Sequence, residues 1–433
     1  MDRITDIAKK ILAEAKQLGA DYAHCTVSEN EKKEFNVDGG QFSLMRTLFN
    51  RNIVITVLKG QRKGTVQINR FEEEAVKEAV ADAIAASDSG KPDPAWEFAE
   101  GPLEESFEEG TLECDTDRLF MRTKELLETI REKHPKILME QMITEHSAER
   151  TVFMSTNDVC YRTRSGSYSF SLMYSAHEGE KSSSFYGSDV TLKTLDKPVI
   201  ECALIERELA AVEQQLDPQP LEGKFVGPAI LAPMALVEII IETIMGSFVG
   251  DVGLIDGTSI WKDKLGQEVA DSAFSLSFRP FSEDVVAGCR YTGEGYPAED
   301  YDLIRNGKLA SFALSQYGAN KTGGKRAGNQ SGNMFIEPGK DTLEQLIRGI
   351  EKGILVMRFS GGQPAPSGEF SGVAKNSFLI ENGKIACALS ETMISGCVPE
   401  MLRQIRSISS DTLKDGNVSL PYIAFDGLTI SGK

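Results

Sequence analysis

Apolar and polar positions along this chain follow two periods, and the changes between them mark out its elements. Ile4, Ile7, Ala8, Ile11 and Leu12 recur at helical spacing, predicting a helix over Ile4–Leu18 that stops at Gly19. Alternation then takes over: Tyr22, His24 and Thr26 within Asp21–Glu29 predict a strand, with further strands over Glu34–Val37, Phe42–Asn50, Asn52–Lys59 and Gly64–Ile68. Asp38-Gly39-Gly40 and Lys59-Gly60 supply the turns, and Phe71–Ser87, rich in Ala, Glu and Val, predicts a helix with Asn69 as N-cap. Residues 1–90 therefore read as an α+β domain.

Residues 91–116 break the pattern with Pro92, Pro94, Pro102 and the pairs Glu104-Glu105 and Glu108-Glu109, as expected of a solvated acidic connector. Residues 117–222 resume it as a middle α+β region. Helices are expected over Asp117–Lys133 and Ile200–Gln215, around strands over Ile137–Ser147, Thr151–Thr156, Val159–Ser165 and Ser167–His177. Pro218 and Pro220 mark the boundary into a last domain, 223–433. There Phe225–Leu231 reads as a strand and Met234–Val249 as an almost wholly apolar helix. Strands follow to about residue 281, with later helices over Asp341–Lys352 and Glu400–Ile408 and a closing apolar run over Tyr422–Ile430. Two near-copies of one cassette, Asp302–Phe312 and Phe378–Ala388, each place Asn-Gly (Asn306-Gly307, Asn382-Gly383) between short apolar runs. Asn and Gly tolerate the positive φ angles of a two-residue type I′ turn, so this half is expected to be antiparallel and β-rich. The fold class is α+β: a mixed N-terminal α/β domain and a C-terminal antiparallel β-rich domain with repeated Asn-Gly hairpins.

Composition narrows the function classes. A net charge of −18 over 433 residues, without a dense Lys/Arg stripe, argues against direct nucleic-acid binding. No apolar run approaches bilayer length, and the start reads as an amphipathic helix rather than a signal peptide. The seven cysteines are scattered and never in a CxxC pair, which suits a reducing cytoplasm rather than a disulfide framework.

Several fragments recur in order over residues 225–433: Arg279-Pro-Phe-Ser-Glu-Asp284, Tyr291-Thr-Gly-Glu-Gly-Tyr-Pro297, Ser315-Gln-Tyr-Gly-Ala-Asn-Lys-Thr-Gly323, Asn333-Met-Phe-Ile-Glu-Pro-Gly339 and Gly353-Ile-Leu-Val356. Gly368-Glu-Phe-Ser-Gly-Val-Ala374, Leu389-Ser-Glu-Thr-Met-Ile-Ser-Gly396 and Gly427-Leu-Thr-Ile-Ser-Gly432 follow. Together they resemble the TldD/PmbA family, and the N-terminal elements fit as well, with the PmbA (TldE) branch most similar. The resemblance implies a cytoplasmic peptidase system that degrades unfolded or flexible peptides, trims a peptide-antibiotic precursor or removes an antitoxin. In it a TldD-type subunit holds zinc through an HExxxH helix and a later cysteine, and a TldE-type subunit pairs with it.

This chain departs from the zinc pattern. HExxxH works because two imidazoles one helical turn apart share a metal while the Glu activates bound water. The corresponding helix reads Ala232-Pro-Met-Ala-Leu-Val-Glu-Ile-Ile-Ile-Glu-Thr243, and no cysteine stands near residues 411–415. The four histidines, His24, His134, His146 and His177, are far apart. Glu238 and Glu242 share a helix face but lack nitrogen or sulfur partners, and His177-Glu178 continues into Lys181 and Ser182. Cys397, before a helix, and Cys289 are read first as structural thiols. Glu283, Asp284 and Glu294 are read as surface carboxylates before an acid/base pair. Gly293-Glu-Gly295 and Gly323–Gly332 match no phosphate-loop pattern, and the second is expected as a mobile loop bordering a peptide channel. The expectation is a PmbA/TldE-like subunit with no catalytic residue and no cofactor of its own, zinc residing in a TldD-type partner. Glu294, Tyr296, Asn329 and Asn333 are its substrate-channel candidates. Its partners would be the TldD-type subunit and extended peptides, with a homodimer as the isolated form. The rival is a binding protein that modulates DNA gyrase, or a gyrase toxin, through protein contacts.

Overall fold

The computed structural model describes residues 2–362, 364–390 and 392–432. Met1 of the opening segment and Glu391 of one family-like fragment lie outside the described residues.

The N-terminal half is one eight-stranded sheet. Its strands are β1 (Tyr22–Asp38), β2 (Gln41–Lys59), β3 (Arg62–Ile68), β4 (Leu103–Gly110), β5 (Ile137–Ser155), β6 (Val159–Glu178), β7 (Lys181–Ser182) and β8 (Tyr186–Leu192). The order is β3-β2-β1-β5-β6-β4, with β7 and β8 also on β6. Several strand pairs expected as separate are single long strands, and β1 spans the polar stretch between Glu29 and Glu34. The reason is charge pairing across the ladder: Lys32–Glu145 at 2.7 Å, Arg46–Glu34 at 2.8 Å and Arg51–Glu29 at 3.6 Å. A polar run that would break a solvent-facing strand is here stitched to its neighbours.

The ladder from His24↔Ser155 to Asp38↔Gln141 also makes residues 1–90 and 117–222 parts of one sheet. The acidic connector contains a strand as well, which corrects the solvated-loop reading. β4 runs parallel to β6, and Glu104 and Glu108 pair with Arg162 and Arg164, each at 2.9 Å. The glutamates that suggested a loop face a basic strand.

Helices α1 (Arg3–Gln17) and α2 (Glu73–Ser89) cover the first half of the sheet, burying Ile4, Ile11, Val80 and Ala83 against Val27, Ile53 and Val57. The cap of α2 falls at Glu72 rather than Asn69 and uses no side chain. α3 (Thr116–Lys133) is capped by Asp115, which accepts from the Arg118 amide at 2.9 Å.

The C-terminal half is a fourteen-stranded, mostly antiparallel sheet. Both Asn-Gly cassettes form the expected hairpins, with φ of 48° and 76° at Asn306 and Gly307 and 51° and 74° at Asn382 and Gly383. The apolar helix after Ala232 forms but is wound wider than an α-helix over Val237–Ile241 and Ile244–Val249. Ile239, Ile240, Ile244 and Phe248 are buried there. Several endings differ from expectation, and the helix expected over Asp341–Lys352 covers only Leu343–Arg348 because Lys352 already begins a strand. The helix after Cys397 covers only Val398–Arg403, because the chain then pairs as the strand Ile405–Lys414. The strand Ser419–Ser431 runs through Asp426-Gly427, absorbed by a register shift opposite Gly227–Ala229. No helix among the described residues is long and apolar enough to cross a membrane.

Helix α4 (Ile205–Glu213) fastens the halves together, and its Arg207 meets Asp411 of the C-terminal half at 3.0 Å. Glu208 on the same helix is buried among Tyr174, Tyr186 and Tyr422 and accepts from the Ser188 hydroxyl. Burial pushes its carboxyl up from 4.5 to about 7. An unfolded chain ionises Glu208 above its ordinary value, whereas the folded one keeps the proton until about pH 7. This residue therefore favours folding at low pH, and that contribution declines as pH rises from 4.5 to 7. Glu208→Gln is expected to remove up to about 1.4 kcal/mol per pH unit of slope from the unfolding free energy in that window, read by urea titrations at several pH values.

Candidate functional site

The family-like loop Tyr291–Pro297 is a tight turn closed on itself. The Thr292 amide donates to the Tyr296 carbonyl at 2.8 Å and the Gly295 amide to the Thr292 carbonyl at 2.9 Å. Gly295 holds φ +86°, and a Cβ there would meet the Phe153 ring at 2.9 Å, so glycine is required by both conformation and space. The turn is pressed against the N-terminal sheet: the Tyr161 hydroxyl donates to the Gly295 carbonyl at 3.2 Å, and Tyr161 stacks on Tyr291 with centroids 4.6 Å apart.

Residues Asp93–Ala99 of the connector lie in the same seam. The Ala99 amide donates to the Glu294 carbonyl at 2.9 Å. Trp96 is layered between the Lys63 ammonium, 3.9 Å from its ring, and Tyr317, stacked at 4.0 Å. Tyr317 and Lys321 both donate to Asp93, at 2.9 and 3.0 Å, and Asn320 donates to Glu97 at 2.9 Å. Below them Phe98 stacks on Tyr22 at 4.3 Å and meets His24 edge-on. His24 is buried and held neutral: burial, then the nearby Lys63 charge, bring its pKa down to about 3.

The four channel candidates divide into two pairs. Glu294 and Tyr296 stand at the seam. Glu294 accepts from Gln330 at 3.3 Å through one oxygen, and its other oxygen is buried without a partner. Tyr296 donates to Glu97 at 3.3 Å and carries the Arg326 guanidinium 4.3 Å above its ring. Asn329 and Asn333 are buried, and their amides are spent on the chain itself. Asn329 donates to the Glu299 carbonyl at 2.8 Å and accepts from Ser331, while Asn333 donates to the Asn417 carbonyl at 3.1 Å. These bonds shape the loop before Met334. Lys63, Trp96 and Tyr317 were missed. The signal was present in Pro94-Ala-Trp96, a lone tryptophan inside an otherwise solvated stretch.

The remaining candidates are dispersed. Asp284 pairs with Lys414 at 2.9 Å, away from the Glu294–Gln330 contact. The Cys289 thiol donates to the Tyr291 carbonyl at 2.8 Å, and burial raises its pKa. Cys397 lies in a groove with Glu369, Glu400 and Asp426, and burial raises its thiol too. All four histidines are engaged elsewhere: His134 with Glu213 at 3.0 Å, His146 with the Thr111 carbonyl at 2.7 Å, His177 with Ser175 at 2.9 Å, and His24 with Tyr22 at 3.2 Å. Neither cysteine has an imidazole to activate it.

The helix matching the zinc segment does not fit the ion. Glu238 accepts from the Phe359 amide at 2.6 Å, Glu242 is exposed, and the remaining positions from Ala232 to Thr243 carry no nitrogen or sulfur donor except Met234. Among the described residues no group of three or more His, Cys, Asp and Glu could share a metal.

Residues 223–432 match the PmbA/TldA metallopeptidase C-terminal domain. A metalloprotease PmbA homolog of Haemophilus influenzae is 24% identical over 94% of this chain and 88% of its own length. Metalloprotease PmbA of Escherichia coli O157:H7 is 28% identical over 44% of each chain. The crystal structure of TldE from Thermococcus kodakarensis superposes with a TM-score of 0.85 at 21% identity, covering 98% of this chain and 100% of that one. A Thermotoga maritima protein named as a candidate modulator of a DNA gyrase superposes at 0.81 and 19% identity, covering 99% and 100%. These superpositions establish the fold.

Gly295→Ala is expected to lower stability by about 1–3 kcal/mol, since it adds a left-handed alanine and a contact with Phe153. Gly293→Ala, whose added methyl has only Gln330 at 3.6 Å, serves as the control with little change. Denaturant midpoints of the two variants make the comparison.

Proposed function

Because the chain belongs to the PmbA/TldD metallopeptidase family, we propose that it is the non-catalytic, TldE-type subunit of a two-component cytoplasmic peptidase, with zinc held by a TldD-type partner. The observation that carries this reading is the chemistry of the helix after Ala232: a wide-wound apolar segment whose one half-buried carboxylate, Glu238, is tied to the Phe359 amide. With one oxygen held by that amide and no nitrogen or sulfur ligand beside it on the helix, Glu238 lacks the partners a catalytic zinc takes. Burial, the largest influence, raises its pKa, which further disfavours the charged form a metal would need. The absence of an imidazole beside Cys289 or Cys397 supports the same reading against a thiol peptidase.

In this role the chain supplies scaffold and substrate surface. The loop ending at Asn333, built by Asn329 and Asn333, joins the seam where Glu294 and Tyr296 stand. We assign Glu294 and Tyr296 to the wall of the peptide path and Asn329 and Asn333 to its shape. Extended peptides are the substrates this reading assigns to that wall.

Mixing this chain with a TldD-type subunit should produce chelator-sensitive cleavage of a disordered peptide that this chain alone lacks. Metal analysis of the isolated chain should find no stoichiometric transition ion. Chelator-sensitive cleavage by the chain alone, or one tightly held ion per chain, would sink the assignment. The Thermotoga protein's designation favours a second reading, a gyrase-binding modulator. Capture of purified gyrase by this chain without any peptidase partner would favour that reading instead.

A further inference from the structure

Two of the polar atoms sealed from water without a hydrogen bond are the Arg358 Nε and the Asn376 Oδ1. Each gives up a bond that water would supply, so a native structure rarely keeps one without a reason. Both belong to side chains that meet the same two residues across the boundary between the halves. The Arg358 guanidinium packs on the Phe185 ring at 4.4 Å, and the Asn376 Nδ2 donates to the Ser184 carbonyl at 3.3 Å. That bond decides which end of the amide is the donor, so the idle atom is the acceptor. Asn376 is 4% exposed and holds φ +49°, fixed at the left-handed bend between the strands Glu369–Lys375 and Ser377–Glu381.

The cover over these atoms is short. Ser183 is anchored through its amide and its hydroxyl to the Ala176 backbone, at 2.9 and 2.8 Å, and Tyr186 is buried at the start of β8. Between these anchors Ser184 is exposed and Phe185 is 51% exposed, so the turn of one side chain uncovers Arg358. Charge then selects what enters. Lys375 stands directly opposite Arg358 across the ladder from Arg358–Gly361, so the two cations share a face. Glu238, the acid whose charged form Arg358 favours, is already held by the Phe359 amide at 2.6 Å. A guanidinium with an idle Nε grips a carboxylate side-on through two parallel bonds, and the Asn376 Oδ1 calls for an N–H. The last residue of a peptide carries both groups on one Cα.

We propose that Arg358 and Asn376 form a subsite for the C-terminal residue of an extended peptide, gated by Phe185. The Phe185 ring turns outward, the terminal carboxylate takes its place on the Arg358 guanidinium, and the last N–H of the peptide donates to the Asn376 Oδ1. The exchange replaces a cation–π contact with a charge-assisted pair of bonds and satisfies both idle atoms. Sequence-tolerant recognition follows, because every peptide ends in the same two groups. The choice of a peptide rests on the peptidase reading above; the polar pair and its aromatic cover do not.

Fluorescence anisotropy of the purified chain with a short Gly/Ser/Ala peptide, labelled at its N-terminus, tests this without any cleavage. The free-acid peptide should bind at least about tenfold more tightly than its C-terminal amide. Arg358→Gln should abolish that preference while leaving the amide form's affinity unchanged. Asn376→Gly, which keeps the left-handed backbone without strain, should weaken both forms. Phe185→Ala should tighten the free acid and leave the melting temperature unchanged, since that ring is half exposed. Equal affinity for acid and amide, a preference that survives Arg358→Gln, or no peptide binding at all would overturn the subsite, and an unaltered affinity in Phe185→Ala would overturn the gate. An intact preference for the acid in a chain that yields no cleavage with a TldD-type subunit would remove the peptidase reading and leave the subsite standing.

Discussion

The antiparallel ladder between β1 and β5 is the constraint on which the rest of this structure depends. It joins segments more than a hundred residues apart into one sheet and so fixes where everything attached to them must lie. With β5 in place, β6 follows by a tight turn, Tyr161 and Phe153 come to the sheet's end, and the connector has a surface to cross. The energetic logic is that of any long pairing. Closing the intervening loop costs entropy only slowly with length, while each added pair contributes backbone bonds and a cross-strand contact. The Lys32–Glu145 rung carries this ladder through the polar stretch of β1, and Arg51 and Arg46 of β2 pair with Glu29 and Glu34 from the other side.

A second consequence is that the two halves are not independent bodies. One buried cluster contains Leu126 and Tyr174 of the N-terminal half together with Ile230, Phe378 and Tyr422 of the C-terminal half. Arg207, Asp411 and the buried Glu208 sit on that boundary, and the aromatic seam around Gly295 forms another contact between the halves. The family-like sequence around Tyr291–Pro297 is thus legible as structure. Its glycine makes the turn, its tyrosines dock it, and its Glu294 backbone carbonyl receives the connector.

Much of the fold was legible because its signals are local. Asn306-Gly307 and Asn382-Gly383 specify their turns by backbone chemistry alone, and the heptad-like spacing in Arg3–Gln17 specifies a helix face. Two of the errors share a cause. The polar residues Glu29–Glu34 and Glu104–Glu109 looked like breaks because their partners stand on other strands: Arg46 and Arg51 on the next one, and Glu145, Arg162 and Arg164 farther along the chain. The candidate site was legible only in part for the same reason. Glu294 and Tyr296 belonged to a recognisable fragment, whereas Lys63, Trp96 and Tyr317 come from three separate regions and acquire meaning only when stacked.

The layering of Trp96 between Lys63 and Tyr317 carries a mechanical implication. Together with the shared core, this rivet makes the polypeptide a single stiff casting rather than a pair of jaws. Removing the Trp96 indole would therefore strip a partner from Lys63 and from Tyr317 at once, although the two belong to opposite halves of the chain.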